Sequence, residues 1–348
     1  MELPYRLRRF ARRTRTTSSA PENVTTVDAA ARNGALEFAL VDLCNSSWKK
    51  TCRGSRLSFV RKPVLCRDYK VMTIGSCFAL EIRAALRRHG FDVYPKYGDI
   101  VFDPKLQTLA KLPKRDDINH YNTFTIRAEF ERALFDRHLK PDDFVKYSAL
   151  WRQMLGDSKG EIWQDPYRKH VYAANEAAIL DLSRKIDACM RDAILTSDIY
   201  IITLGLTEVW RNDRNGMVVN QTPDRELDGR ASGFTFERSN YEQNYENMRS
   251  VCSLLAERFP EKKIVLTVSP VALSRTYSGN DIVVANMESK CTLRAVAAAI
   301  TKEFDNVLYW PSFEIAMARD IYQEDGRHVT HDGVKSIMDQ FLAVHLAN

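Results

Sequence analysis

Short apolar runs that favour β-strands alternate with segments of helical periodicity from about residue 68 to the C-terminus. Strands that alternate with helices are joined by right-handed crossovers, and they form a mainly parallel sheet with helices on both faces. The pattern therefore predicts the α/β fold class. The strand candidates are residues 71–74, 91–94, 199–204, 264–268 and 307–310, and the helix candidates are residues 78–86, 241–259, 287–304 and 331–345.

Two stretches depart from this alternation. Residues 1–30 lack sustained periodicity and indicate a basic flexible tail, which leaves residues 31–348 as the folded domain. Within that domain, residues from about 105 to 190 are polar, rich in aromatic side chains and mostly helical in pattern. We expect them to form an insertion, or cap, on the α/β unit. Their aromatic side chains form either the core of this insertion or a wall that binds a ligand.

Composition excludes several classes of protein. With 45% hydrophobic and 28% charged residues, the 348-residue chain has the balance of a soluble globular protein. It has neither the run of about eighteen apolar residues that a transmembrane helix needs nor the apolar stretch of a secretory signal. The seven cysteines include no C-x-x-C pair, which argues against a disulfide framework and a zinc site. We therefore expect a cytoplasmic protein with no metal or cofactor.

The net charge of +6 arises largely from one short basic segment near the N-terminus. A solvated flexible tail is the simplest interpretation, and weak binding to an anionic membrane surface or to nucleic acid is an alternative. An Arg- and Ser-rich stretch with few acids also fits a transit peptide. No recognised nucleic-acid-binding module occurs elsewhere, so we expect no nucleic-acid partner. The segment contains Arg6, Arg8, Arg9, Arg12, Arg13 and Arg15.

Ligands of an open parallel sheet gather outside the carboxyl ends of its strands, and the first predicted strand ends at Gly75-Ser76. Gly75 permits a tight turn into the following helix, whose N-terminal N–H groups lie beside the Ser76 hydroxyl. This position suits a nucleophile whose own backbone N–H stabilises an oxyanion. The alternative is that Ser76 only caps the helix. The surrounding residues do not match the G-x-S-x-G elbow of α/β-hydrolases.

Asp325 and His328 stand three residues apart after the last predicted strand. That spacing places both side chains on one side of a helix or turn. The carboxylate can then orient the imidazole, and the imidazole can take the proton of a serine hydroxyl. A solvated surface pair is the alternative interpretation. His331 is a rival base three residues further along the chain.

Residues 75–79 read Gly-Ser-Cys-Phe-Ala, and the chain resembles the GSCFA family, whose members look like SGNH/GDSL-type esterases. Further blocks resemble motifs of that family in the same order along the chain, and such an ordered set argues against chance. These blocks are residues 94–104, 204–210, 266–271, 285–293, 309–314 and 325–328.

The resemblance implies a three-layer α/β/α fold, with Ser76 as nucleophile, His328 as base and Asp325 as the group that orients the base. SGNH enzymes bind the oxyanion with the serine N–H, a glycine and an asparagine. Gly98 is the candidate for that glycine.

In the position of the asparagine, two residues after Gly205, this chain carries Thr207. A threonine hydroxyl can donate one hydrogen bond, with a shorter reach than an amide. The resemblance therefore implies Gly205 and Thr207 as oxyanion or substrate contacts, with the threonine as a departure from the SGNH pattern.

The function that the resemblance implies is a serine-dependent ester hydrolase or O-acyl (acetyl) transferase that acts on a carbohydrate or polysaccharide precursor. In the insertion, Trp151, Trp163, Tyr167 and Arg168 would suit a sugar-binding wall, and Arg168 would contact an acidic glycan or a donor phosphate. The alternative is a catalytically degenerate SGNH-like module that binds a glycan or a partner. Thr207 favours this alternative, and the intact serine, aspartate and histidine set argues against it.

Overall fold

The computed structural model describes residues 59–100, 110–111, 118–147, 162–168, 171–223 and 233–347. Within these ranges it contains seven α-helices and twelve strands in three sheets. The helices are α1 (Cys77–Arg88), α2 (Thr123–Phe135), α3 (Glu176–Thr196), α4 (Tyr241–Arg258), α5 (Ile282–Glu303), α6 (Ser312–Arg319) and α7 (His331–His345). The strands are β1 (Lys70–Gly75), β2 (Asp92–Tyr94), β3 (Ala110–Lys111), β4 (Val145–Tyr147), β5 (Ile162–Gln164), β6 (Tyr172–Ala173), β7 (Ile199–Leu204), β8 (Glu208–Asn212), β9 (Val218–Val219), β10 (Phe234–Arg238), β11 (Lys263–Val268) and β12 (Val307–Trp310).

The largest sheet is parallel throughout and has the strand order β2-β1-β7-β11-β12. From β1 the chain passes outward to the edge strand β2 and later returns to β7 on the opposite side of β1. Gly75 of β1 and Thr267 of β11 both pair with Thr203 of β7, so these three strands end at one level. The topological switch point, where ligands of such sheets bind, therefore lies between β1 and β7.

Helices cover both faces of this sheet. Met72 and Ile74 of β1 pack with residues of α2, α3, α4 and α5, whereas Val71 packs with α1, α6 and α7. All six residues of β7 are buried, as expected for a strand covered on both sides. The expected three-layer α/β/α arrangement is confirmed. Within the described ranges, no helix combines the length and apolar character that a membrane span requires.

The main strands and helices lie within a few residues of their predicted positions. The largest difference is at α5, which begins at Ile282 instead of residue 287. Asp281 precedes this helix, and its carboxylate accepts a hydrogen bond from Val283 N at 2.8 Å. This cap stabilises a first turn that the apolar pattern does not reveal.

The insertion is less uniformly helical than its sequence pattern predicts. It contains α2, but also an antiparallel sheet with the order β3-β6-β5-β4. Each of these strands has two or three residues, too few for a period-two alternation to be recognised. The helix α3 continues past residue 190 and packs on the main sheet, so it belongs to the α/β unit. Trp151 and the predicted tail, residues 1–30, lie outside the described residues.

A second small antiparallel sheet, with the order β10-β8-β9, follows β7 directly and was not predicted. It holds Trp210 against Phe236 and Tyr277, with ring centroids 5.3 and 5.1 Å apart. Glu208, at the start of β8, accepts hydrogen bonds from Thr276 Oγ1 at 2.5 Å and from Tyr277 N at 3.2 Å. The sheet therefore fixes the loop after β11 beside the carboxyl end of β7.

Candidate active site

The turn from β1 into α1 requires a glycine. Gly75 has a φ of 134°, and a Cβ at this position would lie 2.1 Å from the backbone oxygen of Thr203. No side chain fits there, because Thr203 belongs to the neighbouring strand and its backbone is held by the sheet. The turn places Ser76 immediately before α1, at the switch point of the sheet.

Gly75→Ala is expected to lower the free energy of unfolding by more than about 3 kcal/mol, because both the backbone angle and the new Cβ are unfavourable. Gly90→Ala is the matched control. Gly90 also has a positive φ, 84°, but nothing lies within 4 Å of its added Cβ. Its substitution should cost about 1 kcal/mol. Urea unfolding of both variants measures the difference, and equal losses would show that the close approach to Thr203 is unimportant.

The Ser76 hydroxyl is not a helix cap. The residue occupies the N-cap position of α1, but its side chain accepts no capping hydrogen bond. Ser76 is only 3% exposed, and its Oγ has no hydrogen-bond partner among the described residues. Buried hydroxyls are normally paired, so an unpaired one calls for a functional explanation. The interpretation of Ser76 as a simple capping residue is therefore wrong.

Asp325 and His328 form the expected pair. His328 Nδ1 lies 2.5 Å from Asp325 Oδ2, and the backbone N–H groups of His328 and Arg327 both donate to Asp325 Oδ1 at 2.9 Å. These hydrogen bonds hold the pKa of the Asp325 carboxyl well below its ordinary value, with the two from His328 contributing most. An ionised carboxylate only accepts hydrogen bonds, so His328 carries its proton on Nδ1. Its Nε2 is then available to act as a base.

The rival base His331 lies elsewhere. It is the first residue of α7, and its side chain is exposed. It makes no hydrogen bond or ion pair with the described residues. His331 also does not line the cavity that contains Ser76, whereas His328 does. The geometry therefore favours His328 as the partner of Asp325 and of the serine.

Ser76 and His328 line one cavity of about 760 Å³ at the carboxyl ends of β1, β7 and β11. Cys77, Gly205 and Lys290 also line it. The serine Oγ and the imidazole make no hydrogen bond with each other, since the Oγ has no partner among the described residues. Catalytic hydrogen bonds are often long until a substrate binds. Ser76 and His328 thus line one cavity, and Asp325 is bonded to His328 without lining that cavity. The proton path from the serine to the imidazole is not completed.

Residues 70–341 match the model of the GSCFA family. The chain belongs to the GSCFA family. The matched segment contains all six candidate site residues named from the sequence, from Ser76 to His328. Among curated proteins, none matches this GSCFA chain.

Two solved structures show a weak likeness to this GSCFA protein. One is a candidate GDSL-like lipase from Parabacteroides merdae, 14% identical, with a TM-score of 0.33 over 81% of this chain and 98% of that one. The other is a candidate platelet activating factor from Streptococcus pneumoniae, 15% identical, with a TM-score of 0.27 over 46% of this chain. The match spans 64% of the Streptococcus chain, less than two thirds of its length.

Two of the expected oxyanion donors are engaged elsewhere in this GSCFA protein. Ser76 N donates to Thr203 O at 3.2 Å, as a continuation of the ladder between β1 and β7. Thr207 N and Oγ1 both donate to Ser289 Oγ, at 2.7 and 3.2 Å. Thr207 is buried and does not line the cavity. In this conformation Thr207 and the Ser76 N–H are both engaged, so the role of Thr207 as an oxyanion contact stays a prediction that this geometry does not support.

The two candidate glycines differ. Gly98 lies in a short 3-10 helix, Tyr97–Asp99, after the edge strand β2, and it does not line the cavity. It lies away from this cavity because β2 lies on the opposite side of β1 from β7, so its role as an oxyanion donor stays a prediction. Gly205 does line the cavity, and its N–H has no acceptor among the described residues. An added Cβ at Gly205 would lie 2.4 Å from Tyr121 O, so a side chain is excluded here too.

Two of the residues that would suit a sugar-binding wall, Trp163 and Arg168, are buried instead, as the alternative interpretation of a core for the insertion predicts. Arg168 is fully buried, and its guanidinium pairs with Glu129, Asp165 and Asp187 at 2.5 to 3.3 Å. It therefore stabilises the insertion and cannot contact a ligand. Trp163 belongs to the hydrophobic core.

Other aromatic side chains do line the cavity. Tyr167 lines a separate cavity of about 310 Å³ and not the cavity that contains Ser76. The cavity that contains Ser76 is instead lined by the four aromatic residues Tyr121, Tyr172, Trp210 and Tyr277. Sequence reasoning missed these four because strands and loops far apart in the chain bring them together.

Proposed function

We propose that this GSCFA protein forms an acyl-serine intermediate on Ser76 and passes the acyl group to water or to a carbohydrate hydroxyl. The single observation that supports this most strongly is that an unpaired serine hydroxyl and a carboxylate-oriented imidazole line the same cavity. A nucleophile beside a base that a third group orients is the arrangement that acyl transfer requires.

In the proposed reaction, Ser76 Oγ attacks the ester carbonyl carbon while His328 Nε2 takes its proton. The carbon–oxygen bond to the leaving alcohol then breaks, and His328 returns the proton to that alcohol. A water molecule or a sugar hydroxyl attacks the acyl-serine carbonyl in the second half, with His328 as base. Ser76 leaves as the alcohol and regains its proton. Asp325 holds the imidazole and stabilises its protonated form in both halves.

The lining of the cavity suits a carbohydrate ester. The half-buried side chains of Tyr121 and Tyr277 offer apolar faces to sugar rings. The amide of Gln221 also lines the cavity, and its oxygen, which has no partner among the described residues, can accept a hydrogen bond from a hydroxyl group. A volume of about 760 Å³ holds more than a small acyl group. We therefore propose a glycan, either as the ester that is cleaved or as the acceptor.

A partition measurement distinguishes transfer from hydrolysis. With an aryl acetate as donor and increasing concentrations of an oligosaccharide, a transferase should form acetylated sugar at the expense of free acetate. We expect this transfer to be saturable and absent in Ser76→Ala, which serves as the background control. Acetate release that no sugar affects, together with rapid deacetylation of an acetylated glycan, would instead identify a hydrolase.

A second candidate function is a module that binds an acylated glycan without turnover. The observation that favours it is the missing hydrogen bond between Ser76 and His328. Such a module would bind acetylated oligosaccharide saturably, release no acetate as the wild-type protein, and lose no affinity in Ser76→Ala. Isothermal titration beside the acetate assay separates the two functions.

A further inference from the structure

Lys290 is a buried cation in the cavity that contains Ser76. It lies on α5, its side chain is 1% exposed, and it lines this cavity together with Ser76 and His328. Its Nζ donates a hydrogen bond of 2.7 Å to the backbone oxygen of Gly205, in the turn after β7. Lys290 therefore reaches from the helix layer to the same strand ends that hold the nucleophile.

The ammonium group of Lys290 is incompletely satisfied. It has three N–H donors, and Gly205 O is its one acceptor among the described residues. No carboxylate of these residues lies within ion-pair distance of it. Burial lowers its pKa to about 7, with nearby Arg327 acting in the same direction and Cys77 opposing it. A cation buried without a counter-ion is unfavourable, and an anion that forms in the cavity would relieve this.

Acyl transfer forms such an anion, because the carbonyl oxygen becomes an oxyanion when Ser76 attacks. The donors expected from the sequence cannot all bind it: Ser76 N and Thr207 are engaged, and Gly98 lies outside the cavity. Gly205 N–H lacks an acceptor in the described structure. Lys290 is bonded to the carbonyl of that same residue.

We propose that the ammonium group of Lys290, together with the Gly205 N–H, binds the oxyanion of the acyl-transfer reaction at Ser76. The inference rests on the proposed function. It assigns to a lysine ammonium group the oxyanion contact that an asparagine amide makes in SGNH enzymes. In this role Lys290 must be protonated. Activity therefore falls as the pH rises through the pKa of Lys290, whereas a lysine that acted as the base would make activity rise over the same range.

Other ionisable groups face the same cavity and must be separated from Lys290 in a pH profile. The thiol of Cys77 comes from α1, and Arg327 and His328 come from the loop before α7. Glu208 and Arg275 also line the cavity. The phenols of Tyr121, Tyr172 and Tyr277 line it too. A thiol or a phenol can produce a second descending limb of activity in the alkaline range, so the profile is recorded in Cys77→Ala as well.

The decisive experiment compares Lys290→Met with Lys262→Met. Lys262 also donates to backbone oxygens, those of Ile194 and Leu195, but it does not line the cavity. Lys290→Met should lower kcat for aryl acetate about 100- to 1000-fold with little change in KM. It should also lose the descending limb of the profile of kcat/KM against pH. Lys262→Met should retain wild-type kinetics, and Cys77→Ala should retain the descending limb.

Several results would overturn the proposal. One is a Lys290→Met variant with wild-type kcat, and another is one that loses kcat but keeps the descending limb. A wild-type profile that rises throughout would also overturn it, even if Lys290→Met does not fold. If the wild-type protein does not turn over esters, or if Ser76→Ala stays active, the proposed function itself fails. Failure of the proposed role of Lys290 is therefore distinguishable from failure of the proposed function.

Discussion

Ser76→Ala is expected to lower kcat/KM for ester turnover by roughly three to six orders of magnitude and to leave the fold intact. The substitution removes the atom that attacks the ester. In the folded protein this hydroxyl has no hydrogen-bond partner among the described residues, so its loss leaves no donor or acceptor unsatisfied. The urea midpoint should therefore stay close to that of the wild type while turnover disappears.

Cys77→Ala is the matched control, because Cys77 is adjacent and its thiol is the alternative nucleophile. Cys77 packs partly against the layer of α1 and α7, but it also lines the cavity, so its position alone does not exclude it. We expect Cys77→Ala to keep at least a tenth of the wild-type kcat/KM. Loss of activity in Cys77→Ala with activity retained in Ser76→Ala would assign the nucleophile to the thiol.

His328→Ala is expected to lower kcat by roughly two to four orders of magnitude, because it removes the base that takes the serine proton. His331→Ala should retain at least a tenth of the activity, since His331 is exposed and does not line the cavity. Both substitutions change partly exposed side chains, so neither should alter the fold. Steady-state kinetics of the two variants on one aryl acetate decide the assignment, and the reverse ranking would move the base to His331.

Asp325 adds a pH dependence to this prediction. Its carboxyl pKa is held well below the ordinary value by the hydrogen bonds from His328 and Arg327. Stability from a lowered carboxyl pKa is present above the unfolded-state pKa and is lost as the pH falls through the folded-state value. The carboxylate should therefore stay ionised at mildly acidic pH.

The parallel sheet and the positions of Ser76, Asp325 and His328 could be predicted from the sequence because each is a local signal. An apolar run that ends in Gly75-Ser76 favours a strand and a turn, and D-x-x-H spacing allows a pair within one short segment. The roles of nucleophile, base and orienting group were implied by the resemblance to the GSCFA family. The structure confirms the hydrogen bond between Asp325 and His328. Apolar periodicity and short residue spacing predict local structure well, because that structure depends on residues that are near neighbours in the chain.

The oxyanion donors could not be predicted in this way. Whether Thr207 is free depends on Ser289, which lies 82 residues away in sequence. Gly98 has the right residue type but follows a strand at the edge of the sheet. Strand order is a tertiary property, and the local sequence around either residue contains no information about it.

Buried charges were the other failure of sequence reasoning. The polar, aromatic-rich sequence around Arg168 suggested a ligand contact. In the structure Arg168 is fully buried and forms ion pairs with three carboxylates. The sequence of α5 gives no sign of a functional residue, yet its Lys290 lines the cavity that contains Ser76. Charged side chains are rarely buried without a partner, and which one has a partner depends on segments distant in sequence.

The proposed reaction requires Ser76 to be a nucleophile in the native protein, and covalent labelling detects such a nucleophile directly. A fluorophosphonate loses fluoride when a serine oxygen attacks its phosphorus, so labelling needs an activated hydroxyl and no knowledge of the natural ester. Peptide mass spectrometry should locate one phosphonyl group on Ser76, absent in Ser76→Ala and strongly slowed in His328→Ala. A native protein that stays unlabelled, or one that carries the label at Cys77 or another residue, would contradict the assignment.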